Sequence, residues 1–121
     1  MIKFTIVTIT YNAAPVFMRT ADSVLAQTYR NVEHIIVDGA SNDGTADLAS
    51  DYKRRSDEAM NGHEVRVVSE PDKGLYDAMN KGLRLATGDY VCFLNAGDFF
   101  PDASILHLIY DNARLGGYEN D

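Results

Sequence analysis

The chain alternates short, β-branched apolar runs with longer stretches in which apolar residues recur every three or four positions. The first run, Lys3 to Asn12 (KFTIVTITYN), is largely apolar and turns polar at its end, which predicts a buried strand opening into a loop. From Ala14 to Tyr29, residues Val16, Met18, Ala21, Val24 and Leu25 sit close to helical spacing, and Pro15 suits a first helical turn. Val32 to Asp38 (VEHIIVD) predicts a second strand. Loop residues follow, and Thr45 or Asp43 can cap a helix from about Ala46 to Met60. Glu64 to Ser69 (EVRVVS) predicts a third strand. Glu70 to Gly88 reads as a loop and then a helix, with Leu75, Met79, Leu83 and Ala86 on one face and Gly88 closing it at C′. Asp89 to Leu94 predicts a fourth strand. The last helix, in PDASILHLIYDNARLGG, has Pro101 at its start and Gly116-Gly117 after its end.

The order β-α-β-α-β-α-β-α, with helices of about ten to fifteen residues, points to an α/β fold built on a parallel sheet. A length of 121 residues suits one domain with a real core. Apolar residues at 45% and charged residues at 24% fit an ordinary soluble globular protein. No apolar run approaches the roughly eighteen residues of a membrane span. Met1-Ile2-Lys3-Phe4 leads straight into an apolar run without a small-residue cleavage site, so no signal peptide is expected. The single cysteine, Cys92, excludes a disulfide framework and fits a reduced, cytoplasmic setting. The net charge is −7, with no basic cluster beyond Lys53-Arg54-Arg55, which argues against nucleic acid as a partner. An anionic ligand would then need local help from helix N-termini, backbone amides or a metal ion.

In open parallel sheets, ligands bind beyond the carboxyl ends of the strands. Those ends carry Thr10, Tyr11 and Asn12; Asp38, Gly39, Ala40 and Ser41; Glu70, Pro71, Asp72, Lys73 and Gly74; and Asn95, Ala96, Gly97 and Asp98. Taken singly, each group has a structural reading. Asp38-Gly39 is a turn, Asp43-Gly44-Thr45 a turn and helix cap, and Tyr11 a packed aromatic. Asp72 to Gly74 is a loop with a cap, and Asp98 can cap the helix after it. Together, polar, glycine-bearing and carboxylate-rich ends on one edge point to a nucleotide-like ligand site. There is no P-loop lysine motif, and no G-x-G-x-x-G follows a strand, which weakens ATPase and dinucleotide readings. His34, His63 and His107 are not at metal-ligand spacing and read as structural. Cys92 reads as a buried, inert thiol.

The segments FTIVTITYN, SVLAQTYRNVEHIIVDGASNDGT, DKGLYDAMNKGLRLATGDYVCFLNAGD and FFPDASI run from Phe4 to about Leu108. In order and spacing the chain resembles the N-terminal part of the inverting GT-A glycosyltransferases of family 2. SEPDKGLYDAMNKG is most similar to bacterial members that build capsule, exopolysaccharide or lipopolysaccharide chains. The resemblance implies a Rossmann-like sheet with helices on both faces, and residues 1–121 as the nucleotide-sugar-binding part of a single GT-A domain. It implies a nucleotide diphosphate sugar as donor, UDP-linked by default, and a saccharide or lipid-linked saccharide as acceptor. Thr10, Tyr11 and Asn12 match the residues that line the base and ribose pocket, and Asp38 matches an acid that can accept the base N–H. Asp43-Gly44-Thr45 matches the end of that loop and keeps its structural reading. Asp72, Lys73 and Gly74, with Asp77 and Asn80, match the loop and helix beside the donor. Asn95, Ala96, Gly97 and Asp98 match the metal motif, whose last acid, Asp98, would coordinate Mn²⁺ or Mg²⁺ bridging the two phosphates.

Three positions depart from the family pattern: Gly39, Asn95 and Gly97 stand where acids are common. One carboxylate at the metal site implies weak metal binding until the donor supplies phosphate oxygens, and GDP or dTDP sugars stay open as donors. No residue matches the catalytic base, which the resemblance places beyond residue 121. The chain is therefore expected to be a donor-binding fragment without turnover of its own. Its uncovered sheet edge and apolar surface would favour self-association. The full protein would work in the cytoplasm, peripherally at the inner face of the membrane. The rival from another class is a non-catalytic nucleotide- or phosphate-binding signalling module of receiver type. It would need an acidic pair where Tyr11-Asn12 stands and a lysine at the end of a fifth strand. A nucleotidyltransferase would need a glycine-rich basic loop in place of TYNAAPVFMR.

Overall fold

The elements of the computed structural model, which describes residues 2–115, alternate strictly along the chain. They are β1 (Phe4–Thr10), α1 (Ala14–Leu25), β2 (Val32–Asp38), α2 (Thr45–Ala59), β3 (Glu64–Ser69), α3 (Leu75–Leu85), β4 (Tyr90–Phe93) and α4 (Ile105–Leu115). The Gly116-Gly117 stop expected after α4 lies outside the described residues. The strands form one parallel sheet in the order β3-β2-β1-β4, as the α/β reading requires. Thr10 pairs with Asp38 and Asp38 with Ser69, so the carboxyl ends of β1, β2 and β3 lie level. Strand order reverses between β1 and β4, the switch point at which such sheets open a crevice.

Alternation along the strands builds two cores. Val7, Ile35 and Val37 face α3 through Ala78, while Ile6 and Ile36 face the opposite layer of α1, α2 and α4. Both faces of β1 and β2 are thus covered, which is why these strands read as continuous apolar runs. Polar groups caught in these strands must find partners. Glu33, buried on β2, accepts hydrogen bonds from the Thr5 hydroxyl (2.9 Å), the Thr87 N–H (2.9 Å) and the Thr87 hydroxyl (3.1 Å). Burial alone would raise its pKa; these donors and the charge of Lys3 outweigh it and hold the carboxyl below the usual range. Cys92 is half-buried, and burial pushes its thiol up.

The structure corrects four local expectations. The face of α3 that packs is Ala78 and Gly82, not Leu75, Met79 and Leu83. A Cβ at Gly82 would lie 2.5 Å from Val7 Cγ1, so the helix meets β1 through its smallest residues. Leu75 and Leu83 flank that contact at 54% and 47% exposure. Gly88 does not close α3 in a left-handed cap, since the helix ends at Leu85 and Ala86 is extended. It is glycine because a Cβ there would meet Thr5 Oγ1 at 2.5 Å and Lys3 O at 2.9 Å. The N-cap of α2 is Gly44, at φ 92°, rather than Asp43 or Thr45. Asp43 instead joins two helix starts: Oδ1 accepts the Thr45 N–H (3.1 Å) and Oδ2 the Ala14 N–H (3.0 Å). Finally, α4 begins at Ile105, because Asp102 accepts the Ser104 N–H (2.7 Å) and holds Pro101 to Ser104 in a turn.

His34 is fully buried between the Thr8 and Tyr52 hydroxyls, each at 2.7 Å. His63 lies 2.8 Å from the Tyr29 carbonyl through Nε2, and His107 sits edge-on to the Tyr29 ring. Burial, with a smaller contribution from His63, drives the pKa of His34 down to about 3. An unfolded histidine titrates at about 6.5. Below that pH the unfolded chain binds the extra proton, so stability falls as pH drops toward 3. The urea midpoint should therefore fall between about pH 7.5 and pH 5, and fall less in His34→Gln; an equal fall in both proteins would refute this. Gly88→Ala should cost roughly 1–3 kcal/mol of unfolding free energy by overpacking, measured by urea denaturation. No change would mean that the β1 contact relaxes freely.

Candidate functional site

The end of β2 organises the loops around it. Asp38 is buried, and both its oxygens are engaged inside the protein. Oδ2 accepts the Ser41 N–H (2.9 Å) and the Ser69 hydroxyl (2.7 Å), and Oδ1 accepts the Ser41 hydroxyl (2.5 Å). Ser41 Oγ in turn accepts the Asn12 N–H (2.8 Å), and Asn12 Oδ1 accepts the Asn42 N–H (2.9 Å). Asn12 and Ala40 take left-handed backbone conformations, with φ 47° and 61°. The resemblance gives Asp38 a ligand N–H to accept; here its acceptor oxygens face Ser41 and Ser69. Asn12 likewise serves this network.

Beside it lies a cleft of about 280 Å³, lined by Ile9, Thr10, Tyr11, Asp72, Gly74, Leu75 and Ala78. Tyr11 is 64% exposed rather than packed away. The Thr10 hydroxyl is buried with no hydrogen-bond partner among the described residues, while its carbonyl accepts the Gly39 N–H (3.0 Å). The loop from Asp72 to Gly74 is shaped locally. Gly74, at φ 113°, donates its N–H to Asp72 Oδ1 (3.1 Å), and the Lys73 N–H goes to Asp77 Oδ2 (2.8 Å). That bond, with Lys81 and its neighbours, holds the Asp77 carboxyl below the usual range. The Lys73 and Asn80 side chains are exposed and line no part of the cleft.

The fourth group reaches the same edge from the other side of β1. Pairing with β1 continues past β4, as the Leu94 N–H donates to Val7 O (2.9 Å) and the Ala96 N–H to Ile9 O (3.2 Å). Gly97, at φ 102°, donates its N–H to Thr20 Oγ1 (2.8 Å), and a turn closes from the Asp98 N–H to Asn95 O (2.9 Å). This places the exposed Asp98 side chain just beyond the turn, with no hydrogen bond or ion pair among the described residues. Asp98 does not cap α4, since Asp102 holds the turn before that helix. Among the described residues, no three His, Cys, Asp or Glu side chains gather into a metal cage. One unengaged hard carboxylate fits a cation that keeps waters and takes further oxygens from phosphates.

The structure thus brings Thr10, Tyr11, Asp72 and Gly74 into one cleft, with Asn95 to Asp98 across β1 from it. Sequence reading placed Ser41 at this edge without a role and missed Ser69 and Thr20; all three hold the loops. Ser41 had a local signal, an acid three residues before a serine at a strand end. Ser69 and Thr20 had none.

Comparison with known proteins places the chain in a family. The family model "Glycosyl transferase family 2" matches residues 5–112. A PGL/p-HBAD biosynthesis glycosyltransferase of Mycobacterium tuberculosis is 38% identical over 103 residues, covering 85% of this chain and 38% of that protein. An amylovoran biosynthesis glycosyltransferase of Erwinia amylovora is 40% identical over 98 residues, covering 80% and 31%. Among solved structures, a mannosyltransferase of Pyrobaculum calidifontis in complex with GDP-Man and Mn²⁺ superposes with TM-score 0.71 at 32% identity, covering 84% of this chain and 29% of that one. TarS of S. aureus in complex with UDP-GlcNAc gives TM-score 0.78 at 22% identity, covering 93% and 31%, a likeness of fold. The chain therefore spans less than two-fifths of the length of these relatives. No helix among the described residues is long and apolar enough to cross a membrane. The family model's match over residues 5–112, nearly the whole chain, together with the parallel α/β sheet, makes this protein a member of glycosyl transferase family 2.

Proposed function

We propose that this chain holds the nucleotide diphosphate of a sugar donor, a UDP-sugar, for inverting transfer to a growing bacterial surface saccharide. The observation that carries the reading is the pairing of two open features across the end of β1. One is the cleft with its exposed Tyr11 and the Asp72 carboxylate. The other is the unengaged Asp98.

In this reading the Tyr11 ring gives an aromatic face to the base. The buried, unpartnered Thr10 hydroxyl is a spare polar group in the cleft wall. Asp98 would hold a divalent cation, Mn²⁺ or Mg²⁺, whose chemistry is to offset the charge that grows on the leaving diphosphate. Support for a cation comes from the structural relative solved with GDP-Man and Mn²⁺. Support for a biosynthetic role comes from relatives named for PGL/p-HBAD and amylovoran biosynthesis. We assign no residue of this chain as the base that deprotonates the acceptor. The place of action we propose is the cytoplasmic face of the membrane, on a saccharide or lipid-linked saccharide acceptor.

Calorimetric titration of UDP, GDP and dTDP, with Mn²⁺ and with chelator, tests the reading. UDP should bind with Mn²⁺, and chelator or Asp98→Ala should each weaken it by at least about tenfold. Absence of binding by all three nucleotides with Mn²⁺ would overturn the donor site. Full affinity in Asp98→Ala would overturn the metal assignment.

A further inference from the structure

Gly39 does not need to be glycine for its backbone, because its φ is not in the left-handed region. It needs to be glycine for space. A Cβ there would lie 2.8 Å from Asp72 Oδ2 and 3.3 Å from Tyr11 Cδ1. The Asp72 carboxylate therefore reaches across from the loop after β3 and lies over the bare Cα at the end of β2. Its neighbour Asp38 has both oxygens engaged by Ser41 and Ser69. Asp72 has one oxygen engaged, Oδ1 by the Gly74 N–H, whereas Oδ2 has no hydrogen-bond partner among the described residues. Both Asp72 and the exposed Tyr11 line the cleft. An open acceptor and an open aromatic face thus converge on a residue that lacks a side chain, Gly39.

We infer that Asp72 is the carboxylate that reads the nucleobase, in place of an acid on the β2 loop, and that it selects a pyrimidine bearing an imide N–H. This rests on the donor-site reading above. A carboxylate only accepts. Uracil and thymine offer it N3–H, whereas cytosine turns a lone pair toward it at N3. Guanine presents two adjacent donors and matches a carboxylate with both oxygens free, which Asp72 does not have.

The test measures the affinity of the chain, with Mn²⁺, for UDP, CDP, GDP, N3-methyl-UDP and 2′-deoxy-UDP. The unaltered protein should prefer UDP to CDP, GDP and N3-methyl-UDP by roughly tenfold or more and should accept 2′-deoxy-UDP. Asp72→Ala should bind UDP and CDP alike. Gly39→Ala should narrow the preference too, because its Cβ would displace the tip of the Asp72 side chain and press more lightly on the Tyr11 ring. This second variant leaves Asp72 itself in place, and circular dichroism melts establish that both variants fold. A full preference for UDP in Asp72→Ala would overturn the inference, as would binding by the unaltered chain without base preference. Loss of 2′-deoxy-UDP binding with N3-methyl-UDP retained would assign Asp72 to the ribose and overturn it as well. Failure of the unaltered chain to bind any nucleotide diphosphate overturns the donor-site reading itself, and so is distinguishable.

Discussion

The buried Asp38 carboxylate is the constraint on which the rest of this edge depends. A buried acid is costly unless its lone pairs are met, and here Ser41 and Ser69 meet them with three hydrogen bonds. The consequence spreads outward. Ser41, held by Asp38, accepts the Asn12 N–H, and Asn12 accepts the Asn42 N–H. The ends of β1, β2 and β3 become one hydrogen-bonded body. Only such a body can hold Ala40 and Asn12 at positive φ, a conformation that costs of order 1–3 kcal/mol in a residue with a side chain. With that loop held, Gly39 stays in the position where Asp72 can cover it.

Strand β2 carries an acid at each end, and the two are used alike. Glu33 gathers Thr5, Thr87 and Lys3 and ties β1 to the turn before β4. Asp38 gathers Ser41 and Ser69. Both are engaged by the protein at each oxygen. Asp72 Oδ2 and the Asp98 carboxylate, without partners among the described residues, lie on loops outside the central pair of strands. The division follows from burial: the centre of a doubly covered sheet must satisfy every polar group it contains, whereas its loop ends need not.

Much of this was legible in the sequence, and the limits have physical causes. β1 and β2 were legible because double-sided burial writes a continuous apolar run. The edge that carries the candidate site was legible because strand and helix alternate, which places every strand end on one side. The face of α3 was not, because Ala78 and Gly82 bury through closeness rather than hydrophobicity, and spacing rules weigh Leu75 and Leu83 more heavily. Gly88 followed the rule for a helix stop yet serves a contact 83 residues away, with Thr5. Asp38 and Asp72 were both legible as acids at strand ends. Which of them has an open oxygen depends on Ser69 and Gly39, and no local pattern records that.

Charge then decides how an anion could sit here. The chain carries a net charge of −7, so phosphate needs local compensation. The N-terminus of α1 would be the ready source, since the first amides of a helix commonly bind anions. In this fold they are spent. The Asn12 N–H goes to Ser41, the Ala13 N–H to Thr45, the Ala14 N–H to Asp43, and Pro15 has none. The next two, Val16 and Phe17, bond to the Ala13 carbonyl. Asp43, which takes part in this closure, sets an acid against the same helix end. A diphosphate crossing from the Tyr11 cleft toward β4 would, on the proposed reading, meet carboxylates and closed amides. On the proposed reading it is a cation at Asp98 that reverses the sign, because the helix start that could have done so is committed to holding α1 against α2.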